Sequence, residues 1–209
     1  MHKTRLLANA GHFGKNRLEA FSDGVIAIII TIMVLELKVP HGVDAATLYK
    51  LLPVFLGYVL SFVFVAIYWN NHHHLLHAAQ HIDAGVMWAN MHLLFWLSLV
   101  PFVTGYMTEN HYESITVVLY GVVLVMCAVA YTILVIRLKG VHDENSVVNR
   151  AIGGDRKGKI SLALYVIGAM VGYFVPLLGV AFYVAVTFVW LIPDRRIERA
   201  LHEAKNAEH

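Results

Sequence analysis

Long apolar stretches alternate with short polar ones along most of this chain. A helix needs about 20 apolar residues to cross the hydrocarbon core of a bilayer. By that measure the pattern predicts six spans, at about 20–39, 48–70, 85–107, 113–137, 160–175 and 179–193. The chain is therefore predicted to be an all-α membrane protein. Its expected parts are an N-terminal segment 1–16, a six-helix membrane domain 17–193 and a tail 194–209.

The last apolar stretch, 160–193, leaves two interpretations open. As one helix it would be about 51 Å long, against a hydrocarbon core of about 30 Å. A break at Pro176-Leu-Leu-Gly179 gives two short spans and six crossings, whereas one tilted helix gives five. Gly168 and Gly172 form a small-xxx-small pair, which predicts a close helix contact in this stretch.

The distribution of basic residues favours six crossings. With six, the N-terminus, the loop at Gln80, the 138–158 loop and the C-terminus share one side. That side then holds all of the 16 Lys and Arg residues except Lys38 and Lys50. Because cytoplasmic loops carry the excess of Lys and Arg, we expect a multi-pass protein of the cell membrane with both termini cytoplasmic.

Composition agrees with a membrane location and argues against other classes. The chain is 58% hydrophobic and only 14% charged, unlike a soluble globule. A net charge of +2, with basic residues confined to loops and termini, offers no face for nucleic acid. No nucleophile elbow, P-loop, zinc-protease helix or paired-carboxylate site occurs in the sequence. We therefore predict no enzyme activity and assign no catalytic residue.

Histidine is the residue type whose clustering suggests chemistry. His73, His77 and His81 would share one face of a continued second helix, a spacing that suits a transition metal. This keeps a metal-ion or other cation transporter using the His72–His81 cluster as an alternative function. A polar helix extension is the simpler interpretation, so no metal site is assigned. A haem held by a span-two histidine and His92 is a third alternative.

The first span has two distinct faces. Residues at steps of four, three, four and three form a narrow stripe with a seven-residue repeat, which comprises Gly24, Ile28, Thr31, Leu35 and Lys38. A helix that meets copies of itself around an axis shows such a stripe, although ordinary core packing also produces one. Asp23 lies about 140° from Ile28 around the helix and is expected to face its own subunit, because a buried charge needs a partner.

The start of this span resembles the signature of a known family. Arg17-xxx-Phe21-Ser22-Asp23, at the membrane boundary, is similar to the signature of the transmembrane protein 175 family of potassium channels. Trp69-Asn-Asn-His72, Ile82-Asp83, Asn90 and Pro101-Phe102-Val-Thr104 also resemble the family's pattern. The close resemblance covers roughly residues 17–107.

The resemblance implies a six-helix subunit that forms a homotetramer in the lipid bilayer, with the first helices lining a central pore for monovalent cations. Aligned on the signature, the pore-lining positions fall on Ile28, Thr31 and Leu35. The family has no TVGYG-type carbonyl filter, and this sequence contains none. The implied function is a potassium-preferring cation channel whose constriction is a ring of apolar side chains. No cofactor is expected beside the permeant K⁺.

Two further groups of residues are predicted, the first from the resemblance and the second from a departure of this sequence from the family's pattern. A structural polar network is expected to hold the angle and depth of the first helix, and its members are Arg17, Phe21, Ser22, Asp23, His72 and Asn90. Within it, Arg17 and Asp23 are expected to pair with groups such as His72 and Asn90. Glu36 is a candidate outer acidic ring that attracts cations. It lies about 100° off the stripe, which favours an interfacial charge near Lys38 instead.

Overall fold

The structure, a computed structural model, describes residues 2–143, 146, 149 and 156–191, with the side chains of residues 14–143, 146, 149 and 157–191. The predicted tail 194–209 and much of the 138–158 loop lie outside the described residues. All regular structure in the described part is helical. The α-helices are α1 His2–Ile32, α2 Ala45–Ala78, α3 Ala84–Ser98, α4 Val100–Glu109, α5 Ser114–Gly140, α6 Arg156–Phe174 and α7 Pro176–Leu191. A 3-10 turn, Met33–Glu36, extends α1.

Within the described residues, four helical segments are long and apolar enough to cross a membrane. They are Gly14–Glu36, Ala45–Ala78, Ala84–Glu109 and Ser114–Gly140. The third combines α3 and α4, which meet at Leu99, with Pro101 placed at the start of α4, where its missing N–H is tolerated. The first four predicted spans thus coincide with these segments.

The second span is longer than predicted. α2 has 34 residues, or about 51 Å of helix, and so exceeds the hydrocarbon core by several turns. Its polar end, which carries four histidines, continues the helix, so the interpretation of this segment as a polar helix extension is confirmed. It ends at Ala78, and α3 begins after Asp83, whose carboxylate accepts the backbone N–H of Val86 at 2.7 Å.

The last apolar stretch folds back on itself. α6 ends at Phe174 and α7 begins at Pro176, so the predicted break is confirmed and the single long helix is not formed. The indole N–H of Trp190, at the end of α7, donates to Ser161 Oγ, near the start of α6, at 2.7 Å. The two helices therefore form an antiparallel hairpin.

Glycine allows this hairpin to close. Gly179 of α7 lies directly on the backbone of α6, where a Cβ would stand 2.6 Å from Gly172 Cα and 2.7 Å from the Gly168 carbonyl oxygen. The predicted close contact of the small-xxx-small pair is confirmed, and the small residue that meets it is Gly179.

Contacts between helices define two ends of the molecule. At one end, Lys15 Nζ of α1 donates to the His77 carbonyl of α2 at 3.0 Å. At the same end, the backbone N–H of Gln80 donates to His142 Nε2, beyond α5, at 2.9 Å. The start of α1, the 79–83 loop and the end of α5 therefore lie together, on the side where the basic residues concentrate.

The opposite end is closed by contacts of the loop between α4 and α5. The Tyr112 hydroxyl donates to the Pro53 carbonyl of α2 at 2.5 Å. Lys38, just after the 3-10 turn, forms an ion pair with Glu109. Since this end carries few basic residues, it corresponds to the predicted outer side.

A buried hydroxyl cluster joins three helices between these ends. Ser61 Oγ of α2 lies 2.7 Å from Thr104 Oγ1 of α4 and 2.9 Å from the Tyr120 hydroxyl of α5. All three side chains are buried, so the cluster satisfies polar groups that would otherwise be costly inside a membrane. It holds α2, α4 and α5 as one unit, against which α1 packs.

Candidate pore helix and its anchor

One face of α1 packs into its own subunit. The buried residues follow at steps of four, four, three and four, and they are Leu18, Ser22, Ile26, Ile29 and Met33. This face contacts α2, α3 and α4. It provides the packing that holds α1 in place.

The predicted pore stripe lies on the other face and is left exposed by the residues that the structure describes. Ile28 is 60% exposed and Leu35 is 75% exposed, and Thr31 between them is exposed as well. At Gly24 a Cβ would find nothing within 4 Å. A large apolar face inside a spanning helix must meet either lipid or another chain, so the stripe is available for assembly.

Thr31 is the polar residue of that exposed stretch. Its hydroxyl donates to the carbonyls of Ala27 and Ile28, each at 3.0 Å. Because a hydroxyl has one proton and two lone pairs, the outward side of Thr31 Oγ1 can only accept. A ring of such oxygens would coordinate a cation and would offer no hydrogen-bond donor to an anion.

Three residues of the predicted network form a buried hydrogen-bonded chain. Ser22 Oγ donates to the Leu18 carbonyl at 2.8 Å, and Asn90 Nδ2 donates to Ser22 Oγ at 2.9 Å. Asn90 Oδ1 then lies 2.6 Å from His72 Nε2. The chain joins α1, α3 and α2, and its three side chains are fully buried.

The direction of this chain determines the tautomer of His72. Ser22 uses its proton on Leu18, so Asn90 must direct its amide nitrogen at Ser22 and its oxygen at His72. His72 Nε2 is therefore the donor to Asn90. His72 Nδ1 is buried without a hydrogen-bond partner, as suits an unprotonated ring nitrogen. The anchor is thus built with a neutral imidazole.

Asp23 and Arg17 are not part of the buried chain. The Asp23 carboxylate accepts the indole N–H of Trp69 of α2 at 2.9 Å. Arg17 is exposed and forms no hydrogen bond or ion pair with any residue that the structure describes, and Phe21 is 50% exposed. The expected pairing of Arg17 and Asp23 with His72 and Asn90 is not made, because Ser22 occupies that side of α1.

Trp69 is the partner of Asp23, and the sequence alone did not predict this pairing. It lies three residues before His72, so both face nearly the same side of α2. The Trp-xx-His spacing, together with the consecutive Ser22 and Asp23 on α1, was the available signal.

Glu36 lies inside its subunit. Its side chain packs against Gly105 of α4, at the place where a larger residue would have its Cβ. Nearby, Glu109 raises the pKa of the Lys38 amine through a hydrogen bond and its charge. Glu36 thus neighbours a charged pair at the outer end, and the acidic ring stays a prediction.

The histidines do not form the predicted row. α2 ends at Ala78, so His81 is off the helix and stacks on His142 at 6.1 Å, whereas His73 and His77 stack on each other at 6.0 Å. The expectation of three histidines on one helical face is therefore wrong. Within the described residues, no group of three or more His, Cys, Asp or Glu is placed to hold a metal.

The haem alternative also lacks support. His92 Nε2 accepts the indole N–H of Trp96 at 2.9 Å, on its own helix, and His72 is bonded to Asn90. The two histidines at this depth are therefore engaged by other side chains.

Comparisons with known proteins identify relatives of this chain. The sequence model of a family described as the endosomal/lysosomal potassium channel TMEM175 matches residues 17–101. A potassium channel of Chryseobacterium sp. (strain P1-3) is 51% identical over 192 residues, which is 90% of this chain and 98% of that protein. A potassium channel of Streptomyces collinus (strain DSM 40733 / Tue 365) is 34% identical over 123 residues, 55% of this chain and 60% of the relative.

A solved structure extends the likeness to the fold. The crystal structure of a lysosomal potassium-selective channel TMEM175 homolog from Chamaesiphon minutus superposes with a TM-score of 0.74 at 25% sequence identity. The match covers 86% of this chain and 97% of that chain. The resemblance seen in the first helix is confirmed along nearly the whole chain, which belongs to the TMEM175 family of potassium channels and hence to a class of membrane proteins that are not enzymes.

Proposed function

We propose that this chain forms a homotetrameric, potassium-preferring cation channel, in which α1 of each subunit lines a central pore. The observation that carries the proposal is the exposed stripe of Ile28, Thr31 and Leu35, which lies opposite a fully buried face of the same helix. Its seven-residue repeat suits contact with copies of itself, and closed cyclic symmetry is the usual arrangement of such copies.

Selectivity arises from side chains and not from a carbonyl filter. Four Ile28 and four Leu35 side chains form two apolar collars that a cation passes at least partly dehydrated. K⁺ is more weakly hydrated than Na⁺, so it loses less hydration free energy at such a constriction. The outward lone pairs of Thr31, between the collars, replace some of the lost water. Narrowing of either collar dewets the pore and closes it.

The buried chain of Ser22, Asn90 and His72 anchors the pore helix to α3 and α2. The bond from Trp69 to Asp23 adds a second point of attachment on α2. These residues set the depth and rotation of α1 and do not contact the ion.

Six crossings with both termini in the cytoplasm are part of the proposal. α6 and α7 have 19 and 16 residues, so α7 is about 24 Å long and crosses a locally thin region. Supporting this, the Trp190 to Ser161 bond returns the end of α7 to the side where α6 begins. That side carries the basic loops, so it is the cytoplasmic side of the cell membrane in this proposal.

Flux through the reconstituted protein tests the proposal. In liposomes, Ile28→Asn should raise K⁺ flux and bring K⁺ and Na⁺ fluxes closer, because a polar collar holds water. Ile136→Asn is the matched control, since Ile136 of α5 is 61% exposed, against 60% for Ile28, but is not on α1. Unchanged flux in Ile28→Asn would remove Ile28 from the constriction, and no K⁺ flux through the wild type would overturn the channel itself.

A further inference from the structure

The described residues leave a long apolar groove between α2 and α7. It begins at Leu52 and Leu177, near the predicted outer side, and follows α2 as far as Val63 and α7 as far as Leu191. The cavity has a volume of about 780 Å³, which falls in the usual range for sites that hold an organic ligand. Its walls are apolar side chains, of which the most exposed are Leu56, Leu177, Phe188 and Leu191.

The polar groups that line the groove have little to offer a polar ligand. The Thr187 hydroxyl donates to the Val184 carbonyl of its own helix at 2.6 Å. The Tyr112 hydroxyl donates to the Pro53 carbonyl at 2.5 Å. Since each hydroxyl has one proton, neither can donate to a bound molecule. His111, at the outer end, is the other polar residue of the lining. The body of the groove therefore fits a hydrocarbon chain.

The groove has the length of one membrane leaflet. Leu52 and Val63 are 11 residues apart on α2, or about 17 Å along the helix. The hydrocarbon part of one leaflet is about 15 Å thick, half of the whole core. Both helices are apolar, and α2 is long enough to cross the membrane. A single acyl chain beside α2 would therefore fill the groove from the outer interface to the middle of the bilayer.

The groove lies away from the proposed pore helix. α1 packs on α2, α3 and α4, whereas α7 packs on α2, α5 and α6. Because α2 stands between α1 and α7, the groove opens on a side of the subunit that is expected to face lipid.

Two nitrogen-bearing side chains stand at the outer end of the groove. Lys50 precedes Gly57 by seven residues and so lies on the same side of α2. A Cβ at Gly57 would stand 3.1 Å from the Tyr112 hydroxyl, so Lys50 and His111, the neighbour of Tyr112, flank the groove on one side. Both are exposed, and neither side chain forms a hydrogen bond or ion pair with any residue that the structure describes.

We propose that the groove holds one acyl chain of a phospholipid of the outer leaflet, whose phosphate is bound by Lys50 and His111. An ammonium pairs with a phosphate by charge, and a neutral imidazole donates one N–H. The chain alone gives little preference, because lipid tails are as apolar as the walls of the groove. The contact at the phosphate therefore distinguishes this lipid from those that exchange around the subunit. The inference rests on the proposed orientation in the membrane and not on ion conduction.

Native mass spectrometry of the full-length protein in detergent tests the inference, with palmitoyl-oleoyl phosphatidylglycerol as the added lipid. The wild type should carry one bound lipid per subunit. Val184→Trp should bind the lipid about tenfold more weakly, because the indole displaces the chain from the middle of the groove and its atomic contacts are lost. Val166→Trp is the matched control, since Val166 of α6 is exposed and does not line the groove.

Two lysine variants test the contact to the phosphate. Lys50→Gln should bind the lipid about two- to fivefold more weakly, as expected for an exposed ion pair. Lys38→Gln removes the same charge from the same end of the molecule. Because Lys38 is paired with Glu109, this variant should bind the lipid like the wild type. Equal affinities in the two lysine variants would overturn the phosphate contact.

The same spectra distinguish a lipid from another occupant. A wild type that carries no lipid at any lipid concentration overturns the inference, and so does wild-type affinity in Val184→Trp. A lipid-free wild type, together with loss of subunits from Val184→Trp, would identify the groove as a contact between copies. If Val184→Trp does not assemble, the two lysine variants decide. None of these outcomes depends on K⁺ flux, so the inference and the channel function fail separately.

Discussion

The indole nitrogen of Trp69 donates a 2.9 Å hydrogen bond to the carboxylate of Asp23, and this bond joins α2 to the first helix within the family signature. An aspartate at a membrane boundary is costly unless a donor meets it. Trp69 supplies that donor from a side chain that is 42% exposed and otherwise apolar. The signature aspartate is thus held by a neutral partner, and the arginine four residues before Phe21 is not involved.

Trp69→Phe should destabilise the subunit by about 1.5 kcal/mol, the low end for a hydrogen bond to a charged group, since the site is half-exposed. Thermal unfolding of the purified protein in detergent measures the effect. Trp88→Phe is the control, because Trp88 is 75% exposed and no hydrogen bond of its indole is described. Equal shifts in the two variants would show that the loss of indole area, and not the bond to Asp23, sets the stability.

Asn90→Leu should lower the free energy of unfolding by more than Trp69→Phe does, by about 2–3 kcal/mol. It leaves the Nε2 proton of His72 buried without an acceptor and removes the donor to Ser22, while shape is nearly kept. Asn70→Leu is the control, because Asn70 is exposed on α2. A denaturant titration in detergent compares the two. An Asn90→Leu protein as stable as the control would contradict the anchoring role of the chain.

Much of this arrangement follows from helical periodicity. The stripe of Ile28, Thr31 and Leu35 was predicted from spacing, and the structure places it on the exposed face. Ser22, His72 and Asn90 were grouped by resemblance, and the structure brings them together. Periodicity alone suffices to predict a face of α1, since the step of 100° per residue is nearly constant along an α-helix. Leu35 lies in the following 3-10 turn, where the step is about 120°, and is exposed there as well.

The pairing within the anchor could not be predicted in this way. Whether Ser22 or Asp23 meets Asn90 depends on how α1 is rotated against α2 and α3, which is a property of three packed helices. The polar extension of α2 was predicted, because histidine is compatible with a helix in water, and the helix does continue past the apolar span to Ala78. Its end before His81 could not be predicted from helical spacing.

Thr31→Val should reduce K⁺ flux and lower the preference for K⁺ over Na⁺. Valine has nearly the same shape but no lone pairs, so the dehydrated ion loses the oxygen between the two collars. Thr132→Val is a close control, because Thr132 of α5 is also exposed and its hydroxyl also donates to its own helix, to Ala128 at 2.8 Å. Liposome flux assays with each ion measure the ratio. A ratio of K⁺ to Na⁺ flux equal to that of the Thr132→Val control would show that Thr31 does not contact the ion.

A pair of glycine substitutions distinguishes contacts within a subunit from contacts between subunits. Gly179→Ala places a methyl group against the backbone of Gly172 and Gly168, which cannot move aside as a flexible side chain would. The α6–α7 hairpin must then open, and the unfolding temperature should fall by several degrees, as about 2 kcal/mol of overpacking implies. Gly24→Ala adds a methyl group with no neighbour within 4 Å among the described residues, and it should raise helix stability by about 0.5–1 kcal/mol.

Conduction should separate the two variants differently from stability, because Gly24 lies on the stripe that faces the proposed axis. Four added methyl groups narrow the cytoplasmic mouth, so Gly24→Ala should lower K⁺ current without loss of stability. Gly179→Ala should lower the stability and also the total K⁺ current, the current in proportion to the folded protein recovered. Unfolding in detergent and single-channel recording measure the two properties separately. A Gly24→Ala channel with wild-type conductance would place Gly24 against lipid, and the pore would then have to be lined by another part of the chain.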